Sequence, residues 1–65
     1  MKIMINGEKA TVNCTRLDAL LKELGHRPET VATAVNQEFV PVGQRAECEL
    51  AEDDSIDIIA PMSGG

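Results

Sequence analysis

The sequence has almost no aromatic residues: Phe39 stands alone, and Trp and Tyr are absent. Proteins that hold single-stranded nucleic acid stack bases on aromatic rings, so that platform is missing. Basic residues are also scarce, 6 Lys and Arg against 11 Asp and Glu, for a formal net charge of −5. Phosphate backbones and anionic membranes are bound through Lys and Arg, so neither nucleic acid nor a membrane surface is an expected partner. A basic protein surface would complement this charge, and a charge that merely maintains solubility reads the same way. The two cysteines, Cys14 and Cys48, form no CxxC, and with the single His26 they cannot assemble a metal-ligand cluster. Two small, partly buried thiols are expected. No apolar run is long enough to span a bilayer. No signal peptide precedes the first apparent strand, so a reducing cytoplasmic location is expected.

What is present is an aliphatic chain of 65 residues, 43% apolar. A domain near this size buries only about 60% of the surface its unfolded chain exposes. A large enclosed active site would consume the core. A binding or carrier module therefore fits better than a self-sufficient enzyme, and neither catalytic residues nor a bound cofactor are expected.

Alternation of Met1, Ile3 and Ile5 marks a first strand, followed by Asn6-Gly7, the strongest short hairpin signal. A second strand over 8–14 returns with Ala10, Val12 and Cys14 on one face. A two-residue loop sets Ile5 opposite Glu8, Ile3 opposite Ala10 and Met1 opposite Val12, a register that keeps apolar pairs together. Leu17, Leu20, Leu21 and Leu24 then trace one helical stripe, with Thr15 as the expected N-cap and Gly25 at the C-terminal stop. Residues 31–36 read as a third strand, 36–38 as a turn, and Phe39-Val40 as a short strand. Pro41 stops that strand and puts it at a sheet edge. Residues 42–46 read as irregular, Leu50 as a core anchor, and 52–54 as a polar turn. The last strand, 55–60, carries Ile56 and Ile58 on one face and Ile59 on the other, a pattern of central strands. The sum is an α+β fold of the β-grasp kind, a mixed sheet covered by one main helix over residues 1–60.

Residues 61–65, Pro-Met-Ser-Gly-Gly, are expected to form a flexible C-terminal tail. Small residues are common at inert, frayed ends. The same residues also suit a chemical task. A terminal carboxylate becomes an acyl donor once its oxygen is turned into a leaving group, as in an acyl-adenylate. Such chemistry must be enclosed to exclude water, and a chain end reaches it through a narrow slot. Gly64 and Gly65 have no Cβ to clash there. Replacing the leaving group with sulfur gives a thiocarboxylate, which like a thiolate is ionised and nucleophilic near neutral pH.

Several blocks in order carry a family resemblance: the Asn6-Gly7 hairpin, the Leu20-Leu21 helix, the run from Ala34 through Asn36 to Pro41, Leu50, Asp54-Ser55-Ile56 and the Gly64-Gly65 end. Together they resemble the ThiS-like sulfur carriers of thiamine biosynthesis, within the ThiS/MoaD group of ubiquitin-like proteins. Two positions depart from the pattern. Asp53 stands where the family usually has Gly, and Gln37 where Gly is frequent; neither touches the tail. The resemblance implies that a ThiF-like adenylyltransferase uses ATP and Mg²⁺ to adenylate Gly65. It also implies that sulfur from a cysteine desulfurase persulfide replaces AMP, and that a thiazole synthase accepts the sulfur. Met62, Ser63 and Gly64 would thread into the partner active site. Met4, Phe39 and Ile59 are expected on the open sheet face as a docking surface. Sulfur delivery for molybdopterin or tRNA thiolation, and a ubiquitin-like modifier or interaction module, remain alternative readings.

Overall fold

Two hairpins flank one strand in the computed structural model, which describes residues 1–60. The first hairpin pairs β1 (Lys2–Ile5) with β2 (Glu8–Thr11) in the register expected from sequence, Ile5 opposite Glu8 and Ile3 opposite Ala10. Both turn residues have positive φ, 51° at Asn6 and 84° at Gly7, as a type I′ turn demands. Beyond β2 the pairing continues through Val12, whose N–H donates to Met1 O at 2.9 Å.

The second hairpin pairs β3 (Ala32–Val35) with β4 (Glu38–Val40), the edge strand before Pro41. Its turn is shorter than the three residues expected: Asn36 and Gln37 alone form it, with φ of 51° and 72°. Strand β5 (Ser55–Ile59) lies between the hairpins, parallel to β1 and antiparallel to β3, giving the sheet order β2-β1-β5-β3-β4. The central place expected for this strand is therefore the one observed.

Helix α1 (Leu17–Glu23) covers one sheet face. Leu17, Leu20 and Leu21 are fully buried and meet Ile3, Val12, Val31, Val40, Leu50, Ile56 and Ile58 in an entirely aliphatic core. Fully burying each such side chain is worth about 1.5–3 kcal/mol. The helix stops as expected. Gly25, at φ 83°, donates to Lys22 O, and the His26 N–H reaches back to Leu21 O, a Schellman closure.

Three expectations need correction. The N-cap is Arg16, without a side-chain cap, because the Thr15 carbonyl is already held by the Leu50 N–H at 2.7 Å and Arg16 bridges to Glu49. Leu24 is 42% exposed, because the helix ends at Glu23 and its last turn passes the edge of the core. The stretch over 42–46, expected to be irregular, is a 3₁₀ helix, Val42–Glu47.

That 3₁₀ helix turns Arg45 inward, to 2% exposure. Its Nε donates to Thr33 Oγ1 at 3.0 Å, Nη1 to Pro28 O at 2.7 Å and Nη2 to Val31 O. Thr33 in turn donates to Val40 O at 2.9 Å. The guanidinium thus ties a second 3₁₀ turn, Pro28–Thr30, to the underside of β3.

Candidate functional site: the two ends of the central strand

The chemistry expected from the sequence belongs to residues that follow β5, so the fixation of β5 decides where they start. Met62, Ser63, Gly64 and Gly65 lie outside the described residues. Strand β5 itself is held at both ends by asparagine side chains.

At the leading end, the Asn36 N–H donates to Ser55 O at 2.7 Å, and its Oδ1 accepts the Ser55 N–H at 3.0 Å. Its Nδ2 also donates to Asp54 Oδ1 at 3.1 Å. The other oxygen of Asp54 accepts the Ala51 N–H at 2.8 Å, closing the turn in which Asp53 sits at φ 71°. At the trailing end, the Asn6 N–H donates to Ile56 O at 2.9 Å, and its Oδ1 accepts the Ile58 N–H at 2.8 Å. From the sequence, Asn6 is a turn residue and Asn36 ends a strand and opens a turn; a hold on the last strand is not expected of either side chain. Asparagine tolerates positive φ and also offers an amide side chain, which glycine does not. The recurrence of Asn at the head of both turns was the available signal. Arg45 carried no such signal.

Pairing places Met4, Ser55, Asp57, Ile59, Ala32, Ala34 and Phe39 on the sheet face away from the helix. Phe39 is 69% exposed and Ile59 is 61% exposed. Ile59 lies at the trailing end of β5, opposite Ala32, whereas Phe39 is two strands away and, through Ala34, level with Asp57 at the middle of β5. Met4 is half-buried and opposite Ser55, four residues before Ile59 along β5, a separation of about 13 Å. The register thus spreads the three over one face with no two of them paired: Ile59 at the trailing end of β5, Phe39 on the edge strand level with its middle, and Met4 beside its leading end. A shallow groove beside Ile59 is lined by Glu29, Thr30, Val31 and Ala32.

Cys14 and Cys48 are free and half-buried against the core. Burial raises the Cys14 thiol above its ordinary value, and the negative charge of Glu23 adds to that. Burial, then Asp54, does the same at Cys48. Both shifts favour the protonated, unreactive thiol. Among the described residues, no group of three or more His, Cys, Asp or Glu is placed to hold a metal ion. None of the helices described is long and apolar enough to cross a membrane.

Known proteins resemble this chain in sequence and in fold. A thiazole synthase of Paramagnetospirillum magneticum is 36% identical over 66 residues, and one of Magnetococcus marinus is 39% identical over the same length. Both alignments take in all of this chain and 20% of the relative, so the chain spans about a fifth of the length of these curated relatives. The crystal structure of a thiamine biosynthesis protein (ThiS) from Geobacter metallireducens superposes with a TM-score of 0.84 at 23% identity, covering all of both chains. The solution structure of a thiamine biosynthesis protein from that organism gives 0.82 at 23% identity, covering all of this chain and 88% of the other. At that identity the likeness is one of fold, the mixed five-stranded sheet with one main helix seen here. The model of the ThiS family matches residues 3–65, nearly the whole length, and the chain belongs to that family.

Proposed function

We propose that this chain is a sulfur carrier of thiamine biosynthesis that acts through the carboxylate of Gly65. The observation that carries the reading is the Gly64-Gly65 end, which lies within the family match and follows the central strand by only five residues. The chain supplies the acyl group and its partners supply the catalysis. A ThiF-like adenylyltransferase joins the Gly65 carboxylate to the α-phosphate of ATP, with Mg²⁺ and release of pyrophosphate. The terminal sulfur of a cysteine desulfurase persulfide then attacks the acyl carbon and displaces AMP, and a thiol reductant such as excess cysteine cleaves the S–S bond of the resulting acyl disulfide to free the thiocarboxylate. The resulting thiocarboxylate gives its sulfur to a thiazole synthase. The naming of the two curated relatives as thiazole synthases supports that acceptor over molybdopterin or tRNA.

Recognition in this reading has two parts. Gly64 and Gly65, with Ser63 and Met62 before them, pass through a slot that no Cβ-bearing residue fits at the last two positions. Phe39 and Ile59, with Met4 further along the face, give the partner an apolar surface beside the root of the tail. An acidic chain is steered toward a basic partner surface.

The test is the intact mass of the carrier after incubation with the adenylyltransferase, ATP, Mg²⁺, cysteine and a desulfurase. One oxygen exchanged for sulfur is the expected product. Removal of Gly65, or Gly64→Val, is expected to abolish the exchange without unfolding the domain. Normal sulfur loading of either variant would overturn the threading mechanism, and conjugates on other proteins would instead support a modifier.

A further inference from the structure

The parallel ladder between β1 and β5 runs out at Asn6. The backbone turns there into β2, so no further β1 carbonyl is available to Ile58. The Ile58 N–H would then face an empty position, and Ile58 is only 7% exposed. An N–H left unpaired in this part-buried position is costly, so a group that can take it stabilises the strand. The Asn6 carboxamide does so, across 52 positions of sequence. It is the last hydrogen bond described on the β1 side of β5, two residues before Ala60.

We infer that Asn6 is a positioning residue for the C-terminal tail. Its backbone makes the hairpin turn, while its side chain pins the trailing end of β5 and so fixes the root from which residues 61–65 depart. This rests on the sulfur-carrier reading in one respect: the five-residue reach to the carboxylate is used by an enzyme with a fixed slot. A short tether places its tip within a small volume only if its base is fixed. A loose base spreads the carboxylate over more positions and lowers its effective concentration at the partner site.

Two substitutions separate the side chain from the turn. Asn6→Gly keeps positive φ accessible at both turn positions and removes the acceptor. Asn6→Asp keeps an acceptor oxygen and a residue that tolerates this φ. Amide hydrogen exchange reads the link directly. The Ser55 N–H, held by Asn36 at the other end of the same strand, is the internal control. In Asn6→Gly the Ile58 amide is expected to exchange about tenfold faster relative to Ser55, the factor that a loss near 1.4 kcal/mol produces. Asn6→Asp is expected to restore the ratio.

With the adenylyltransferase, Asn6→Gly is expected to raise the KM for the carrier several-fold and leave kcat unchanged, because the threaded state, once reached, is the same. Asn6→Asp is again expected to rescue. A purely structural role would lower stability without this split. The inference is overturned if the Ile58 to Ser55 ratio is unchanged in Asn6→Gly, if Asp fails to rescue it, or if faster exchange leaves KM at the native value. Absence of adenylation in the native protein would instead sink the sulfur-carrier reading, and the exchange ratio would still decide whether Asn6 holds the strand.

Discussion

The two hairpins are built alike and used differently. Each turns on an asparagine at φ 51° in the first of two left-handed positions, and each asparagine accepts an N–H from β5. The β1–β2 hairpin runs parallel to β5 through β1, so its turn arrives at the trailing end. The β3–β4 hairpin is antiparallel through β3, so its turn arrives at the leading end. One local motif therefore holds opposite ends of one strand, and topology alone decides which. The leading-end clamp is the stronger, because Asn36 also donates to Asp54 and so ties in the preceding turn. The trailing-end clamp is a single carboxamide, at the end of the strand nearest the tail.

The largest expected break in this comparison is Arg45→Ala. Only the second hairpin rests on a buried guanidinium, and truncation removes the donors to the Pro28 and Val31 carbonyls and to the Thr33 hydroxyl, which keeps its own bond to Val40 O. A loss of about 3–5 kcal/mol in urea unfolding is expected, comparable to the whole stability of a domain this small. A loss below about 1 kcal/mol would mean those carbonyls are readily solvated. Next come the clamps. Asn36→Ala is expected to cost about 2–3 kcal/mol, from left-handed strain plus lost hydrogen bonds. Asn6→Ala is expected to cost about 1 kcal/mol less, since no second side chain is released. Equal losses would remove the asymmetry between the ends.

A smaller pair of changes exchanges the second turn residues. Gln37→Gly relieves a left-handed non-glycine residue at φ 72° and is expected to stabilise by about 0.5–1 kcal/mol. Gly7→Gln is expected to cost a similar amount. An added Cβ at Gly7 meets nothing within 4 Å, so the effect there is purely one of backbone conformation. The smallest effect concerns the cysteines. Both thiols are raised in the folded state above the ordinary value of 9.0. Their contribution to stability is therefore full below that pH and is lost as pH rises through the folded values. Thermal unfolding above pH 9 should decline less steeply in Cys14→Ser and Cys48→Ser, and both variants should still load sulfur, since neither thiol is activated.

Much of the fold was legible because it is set by local rules. Asn6-Gly7 fixed the first hairpin register, the Ile56, Ile58 and Ile59 pattern marked the central strand, and Gly25 marked the helix end. Pro41 placed β4 at an edge. What was not legible depends on partners far along the chain. Nothing near Arg45 announces that its donors meet carbonyls 14 and 17 positions away. Nothing near Asn6 announces Ile58. Thr15 looked like a cap because propensity is local, whereas its carbonyl is claimed by Leu50. Of the candidate site, the open-face side chains followed from strand alternation. The unequal spacing of Met4, Phe39 and Ile59 needed the register between strands.

The central claim is chemical and concerns one atom. The most direct measurement is the mass of the C-terminal proteolytic peptide after the chain has been exposed to a ThiF-like adenylyltransferase, ATP, a persulfide sulfur donor and a thiol reductant. Sulfur in place of one carboxylate oxygen on Gly65 is the expected result. A C-terminal peptide of unaltered mass, or sulfur found on Cys14 or Cys48 instead, would contradict it.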